Sequence, residues 1–154
     1  MQSDTKILFV CLGNICRSPL AEGVAQKHID TENLPYYVES AGTSNWHEGE
    51  APCHNSIKVA QNNGIDISQQ RSRPISRLDI ASFDYVFAMD TQNQADLESF
   101  GFEKVYRLGE FGNYQGADVP DPYFFKGFEG FEKVYEMVAC CVEDILTQIE
   151  NRNI

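Results

Sequence analysis

The chain has 154 residues, 42% of them hydrophobic, and its 23 acids against 12 bases leave a formal charge of −11. Size and composition suit one globular domain over residues 1–154 with a core of its own, and no apolar run approaches the roughly 18 residues of a membrane span. The charge makes nucleic acid and anionic membranes poor partners, so an anion bound here needs a local, preorganised positive site. The cysteines (Cys11, Cys16, Cys53, Cys140 and Cys141) are odd in number. The polar start, Met1 to Lys6, lacks the basic and apolar stretches of a secretion signal. A reduced, cytoplasmic setting is therefore expected.

In chain order, Lys6 to Val10 is a short apolar run that ends at a Gly-Asn turn, the pattern of a buried strand. Ser18-Pro19 then opens a helix, with Ser18 as N-cap, Pro19 in the first turn and Glu22 near the positive end of the dipole. Tyr36 to Ser40 reads as a second strand, followed by a turn at Ala41-Gly42-Thr43. Pro52 to Asn63 reads as a helix stopped by Gly64. Phe83 to Met89 is a third strand, and Thr91 caps a helix reaching Phe100. Lys104 to Leu108 is a fourth strand, and 109–127 is a loop rich in Gly, Pro and aromatics. Gly130 to Glu150 closes the chain as a helix with the apolar stripe Phe131, Val134, Tyr135, Val138, Val142, Ile145 and Ile149. Cys140 and Cys141 fall inside this helix and are expected to be structural.

Strands alternating with helices predict an α/β domain, a parallel sheet with helices on both faces. Ligands of such sheets bind at the carboxyl ends of the strands. The segment after the first strand, Cys11-Leu12-Gly13-Asn14-Ile15-Cys16-Arg17-Ser18-Pro19, lies at such an end. A cysteine opens it and an arginine follows six positions later. Between them, successive backbone N–H groups can curl around a tetrahedral anion, and the following helix points its positive end at the same spot. Arg17 can grip two phosphoryl oxygens at once. Gly13 allows close backbone approach and Asn14 tolerates a left-handed conformation. A thiol in that setting is a nucleophile, and the Ser18 hydroxyl can donate a hydrogen bond to its sulfur. One loop thus offers nucleophile, anion cradle and electrophilic stabilisation for a phosphate monoester.

This run resembles the active-site signature of the low-molecular-weight protein tyrosine phosphatases. Further landmarks match in order: Ser40-Ala41-Gly42-Thr43, Trp46, Ala88-Met89-Asp90 and Asp121-Pro122-Tyr123. The resemblance implies a four-stranded parallel sheet flanked by helices, with the phosphate-binding loop between the first strand and the first helix. It implies hydrolysis of phosphotyrosine through a phosphocysteine on Cys11, with Arg17 as clamp and Asp121 as general acid and then base. The loop residues Leu12, Gly13, Asn14, Ile15, Cys16 and Ser18 would hold substrate, with Trp46 and Tyr123 as aromatic walls. Asn14 and Ser40 would support the loop, and Asp90 either shares in this or only caps the next helix. Cys16 would be the redox partner of Cys11.

Phosphotyrosine proteins, such as a tyrosine kinase, are the implied substrates, and inorganic phosphate and vanadate the implied inhibitors. No cofactor or metal is expected. His28, His47 and His54 are far apart in sequence and read as structural or solvated.

The chain departs from the family pattern at three places. Gln70 stands where histidine is frequent, Pro74 where glutamine is usual, and Phe124 where many members have a second tyrosine. Any loop support from that histidine has to be rebuilt or is absent. Two rival readings are weaker. An arsenate reductase of this fold needs resolving cysteines in the later-middle chain, and none lies between Cys53 and Cys140. A non-catalytic phosphotyrosine-binding module has no need of both Cys11 and Asp121.

Overall fold

The computed structural model describes residues 4–122 and 125–154. Four parallel strands, β1 (Thr5–Cys11), β2 (Tyr36–Gly42), β3 (Tyr85–Ala88) and β4 (Tyr106–Arg107), form one sheet in the order β2-β1-β3-β4. The helices are α1 (Arg17–Glu32), α2 (His54–Asn62), α3 (Arg77–Ser82), α4 (Thr91–Phe100) and α5 (Glu129–Glu150). Alternate residues of β1 serve opposite faces, as the period of a strand requires. Ile7 and Phe9 pack with α1, α2 and α5, while Leu8 and Val10 pack with Leu97 of α4 and, at the margin, Ile80 of α3. Helices therefore cover both faces, and β1 lies in the middle with neighbours on either side. The chain leaves β1 for β2 on one side and later returns to β3 on the other. The turn after β1 thus opens into the crevice where the winding direction changes.

Phe87 of β3 anchors the larger core. Its ring stacks on Phe9 and Tyr106 at centroid distances of 5.6 and 5.5 Å and meets Phe111 edge-on at 5.7 Å. On α5 the expected stripe faces inward, except that Tyr135 is only half-buried; Met137, Cys141 and Leu146 widen it. The paired cysteines separate: Cys140 is exposed, whereas burial, reinforced by Cys140 and Asp144, pushes the Cys141 thiol up to about 12. Among the described residues, no helix is long and apolar enough to cross a membrane.

Several boundaries depart from the sequence reading. Helix α1 begins at Arg17 with Cys16 at its cap position, and Ser18 does not cap it because its hydroxyl is engaged at Cys11 and Asn14. Glu22 lies beyond the first turn and accepts a hydrogen bond from Ser40 Oγ at 2.7 Å, so its place is set by that contact, not by the dipole. Asp90 caps α4 by accepting from Asn93 N at 2.7 Å; Thr91 is already helical and gives its hydroxyl to Asp118. The fourth strand keeps only Tyr106 and Arg107, because the chain then tightens into a 3₁₀ turn at Leu108–Glu110. Helix α3 is an addition. Its signal was present in Ser76-Arg77-Leu78-Asp79, where the Asp79 carboxylate reaches back to Ser76 N at 2.8 Å.

After the 3₁₀ turn the chain doubles back so closely that a Cβ on Gly109 would lie 1.7 Å from the Ala117 carbonyl oxygen. Gly109→Ala is expected to destabilise the fold by about 1–3 kcal/mol through forced backbone movement. Urea denaturation with an unchanged midpoint would count against this close approach.

Candidate active site

The loop from Cys11 to Arg17 is held from outside by its carbonyls. Thr43 N donates to Cys11 O, Ser44 N to Leu12 O, and Ser72 Oγ to Gly13 O at 2.9 Å. Cys53 N donates to Ile15 O at 2.7 Å, and Ser56 Oγ to Cys16 O at 3.0 Å. A peptide whose carbonyl is turned outward presents its N–H edge inward. The amides of Leu12, Gly13, Asn14, Cys16 and Arg17 thus converge on the hollow of the loop, where the start of α1 adds its dipole. The Asn14 amide already donates to Cys11 Sγ at 3.2 Å.

Asn14 fixes the polarity of the whole arrangement. Its backbone is left-handed, with φ of 56°, a conformation that asparagine tolerates better than most residues. Its side chain is buried, donates to Ser18 Oγ at 2.8 Å and to Ser40 Oγ at 2.9 Å, and accepts from Arg73 N at 3.1 Å. Ser18 Oγ, having accepted from Asn14, keeps its hydrogen for Cys11 Sγ, 3.0 Å away. Ser40 Oγ passes its own hydrogen to Glu22. Burial, with the charge of Glu39 adding, raises the Glu22 carboxyl above the ordinary range, against the Ser40 hydrogen bond and Arg73. The side chains of Asn14, Ser18 and Ser40 therefore stand behind the loop, and of the three only Asn14 turns its backbone N–H toward the hollow. Gly42 is required by the same crowding, since a Cβ there would lie 2.8 Å from Leu12 O.

Arg17 is buried beside the thiol, and its Nη1 donates to Asp90 Oδ2 at 2.8 Å and to Val119 O at 2.9 Å. Burial works against its charge, but Cys11, the hydrogen bond and charge of Asp90, and the charge of Asp121 together hold its pKa above the usual arginine value. Asp90 thus does both things the sequence left open: it caps α4 and orients the guanidinium.

A cleft of about 220 Å³ opens over the loop, lined by Cys11, Leu12, Gly13, Ile15, Cys16 and Arg17 below and by Trp46, His47, Asp121 and Pro122 around it. The structure brings Asp121 and Trp46 to the mouth as expected, and Trp46 is 70% exposed there. Tyr123 and Phe124 lie outside the described residues. His47, read from sequence as structural or solvated, is partly exposed and also lines this cleft. Its ring lies 3.0 Å from where a Gly13 Cβ would be, and its Nδ1 pairs with Glu50 Oε2 at 2.9 Å. Ser72 and Arg73 were missed, because their contacts with the loop span 59 residues of sequence. Gln70 donates from Nε2 to Pro19 O at 3.1 Å, in the first turn of α1 and not in the loop itself.

Residues 6–153 match the family model described as low molecular weight phosphotyrosine protein phosphatase. The low molecular weight protein-tyrosine-phosphatase PtpA of Staphylococcus aureus is 35% identical over 93% of this chain and 92% of its own. Among solved structures, a protein tyrosine phosphatase from Entamoeba histolytica, with Hepes in its active site, superposes with a TM-score of 0.90 at 35% identity, covering 98% of this chain and all of that one. A drosophila arginine phosphatase does so with a TM-score of 0.88 at 33% identity, covering 94% of this chain and 97% of its own. With nearly its whole length matched, the chain belongs to the low molecular weight phosphotyrosine protein phosphatase family.

Proposed function

We propose that residues 1–154 act as one unit that hydrolyses phosphotyrosine through a phosphocysteine on Cys11. The observation that carries this reading is the outward anchoring of the loop carbonyls around the Cys11 sulfur, with Arg17 buried at its side. In the first step the Cys11 thiolate attacks phosphorus. The bond from phosphorus to the tyrosine oxygen breaks, and Asp121, as the carboxylic acid, gives that oxygen its proton. The inward amides and Arg17 hold the equatorial oxygens throughout, and their fit to the transition state, not to the ground state, supplies the rate. In the second step the Asp121 carboxylate takes a proton from water, the water oxygen attacks phosphorus, and the sulfur–phosphorus bond breaks to release phosphate. The Ser18 hydroxyl stabilises the sulfur as it leaves.

Leu12, Ile15, Trp46 and Pro122 give the cleft apolar walls suited to an aryl ring, and Tyr123 would add to them. Phosphotyrosine proteins, a tyrosine kinase for instance, are the proposed substrates. The chemistry needs a reduced Cys11, which suits the cytoplasm.

One assay tests the proposal: hydrolysis of an aryl phosphate and of a phosphotyrosine peptide, beside a phosphoarginine peptide and a thiol-dependent arsenate reaction. Aryl ester hydrolysis is expected to persist in a metal chelator and to be inhibited by vanadate and inorganic phosphate. Preference for phosphoarginine, arsenate reduction without ester hydrolysis, or loss on chelation restored by a divalent ion would overturn it.

Cys16 lies in the floor of the same cleft and is the proposed resolving thiol. Peroxide is expected to convert Cys11 to a sulfenic acid, which Cys16 displaces with release of water to form a disulfide that a dithiol reduces. Cys16→Ser is expected to lower the fraction of activity recovered after peroxide and dithiol. Recovery equal to the parent would remove Cys16 from this role, and mass mapping of the oxidised protein would then test Cys53.

A further inference from the structure

A second cavity, of about 290 Å³, adjoins the catalytic cleft and shares Leu12, Arg17 and Asp121 with it. A group whose phosphoryl moiety sits against Arg17 therefore has a neighbouring volume open to whatever is attached to it. The unshared wall comes from the start of α4 and from the segment leading to Asp121, and its polar atoms are mainly acceptors. Asp118 takes hydrogen bonds from Thr91 N and Oγ1 on Oδ1; its Oδ2 has no hydrogen bond among the described residues. Beside this carboxylate, Leu12, Val119 and Pro120 are apolar.

An apolar channel leading to acceptors is the complement of a side chain with an alkyl stem and a cationic head. The charges around it agree. Arg17 is matched by Asp90 at 2.8 Å, and Arg107 approaches Asp118 only to 3.7 Å. Asp118, half exposed, carries the negative charge of the outer wall, and the chain as a whole stands at −11.

We propose that this cavity receives a lysine or arginine side chain of the phosphoprotein, one or two residues from the phosphotyrosine, and so selects substrates with a basic neighbour. The selection rests on the phosphotyrosine reading above. The stem lies along Leu12, Val119 and Pro120, and the head group donates to the Asp118 carboxylate. Asp118 acts on binding and touches no reacting atom.

The test is a panel of phosphotyrosine peptides in which lysine, norleucine or alanine occupies each position from two before to two after the phosphotyrosine. At one position lysine is expected to raise kcat/KM roughly three- to tenfold over norleucine, as suits a half-exposed ion pair, mostly through KM. Asp118→Asn keeps the Oδ1 acceptor for Thr91 and is expected to bring the lysine-to-norleucine ratio close to one. Gln92→Lys, on the exposed wall, is expected to invert it. Both are read as ratios within one variant, so a general change in rate cancels. Equal rates for lysine and norleucine at every position would overturn the proposal. So would a lysine preference of the same size at all positions, since the net field of the molecule alone produces that. A ratio unmoved by Asp118→Asn would overturn it too. Hydrolysis of no peptide in the panel would instead sink the phosphotyrosine reading itself.

Discussion

Cys11→Ser is expected to bring turnover of an aryl phosphate to background, a loss on the order of 10⁴-fold or more, while vanadate and phosphate still bind. The cradle does not depend on the sulfur. The carbonyls of Leu12, Gly13, Ile15 and Cys16 stay pinned by Ser44, Ser72, Cys53 and Ser56, and Arg17 stays pinned by Asp90 and Val119. A hydroxyl at residue 11 retains a hydrogen-bond partner in Ser18 but is a far weaker nucleophile than a thiolate. Binding is read by calorimetry with vanadate, and rate by single-turnover release of the phenol. Turnover above background in a preparation free of wild-type enzyme would remove Cys11 as nucleophile. Loss of vanadate binding together with rate would mean that the cradle depends on sulfur.

Arg17→Lys is expected to cost 10²- to 10⁴-fold in kcat/KM although the charge is kept. The guanidinium meets Asp90 and Val119 on Nη1 and still has planar N–H groups left for two phosphoryl oxygens. An ammonium is a point donor. It can satisfy Asp90 or the phosphate, but not in the same plane and at the same reach. The loss should appear in kcat as well as KM, because the contact tightens as the transferring group flattens. A near-normal kcat would mean that the clamp is supplied by the amides alone. Asp90→Asn, which keeps an acceptor and removes the charge, is expected to fall between the two.

How much of this was legible beforehand depends on the range of each interaction. The loop could be read because its parts are consecutive: a buried strand, a Gly-Asn turn, a cysteine and an arginine at fixed spacing, and a helix start. Strand β1 and helix α5 were legible because their apolar periodicity extends over several turns or pleats. Asp121 and Trp46 entered through the family resemblance. An aspartate before proline is a common turn, and an exposed tryptophan carries no label of its own. The supports were not legible, since Ser72 and Ser56 reach the loop with common hydroxyls, and Arg73 with its backbone N–H, across 40 to 59 residues. Helix α1 was capped two residues late because the hydroxyl of Ser18 has two possible employments, and tertiary contact with Cys11 and Asn14 decided between them. Strand β4 was read too long because alternating residues do not say which of them pair with β3, and only Tyr106 and Arg107 do.

The anchors of Arg17 have a consequence for synthesis. Asp90 lies 73 residues downstream of the arginine and Val119 lies 102 downstream. A chain emerging from the ribosome exposes Cys11 and Arg17 first, and at that stage neither anchor has been made. Arg17 is fully anchored only when the third strand, the fourth helix and the segment beyond the 3₁₀ turn have been translated and docked, so the proposed site is among the last parts of the fold to be completed.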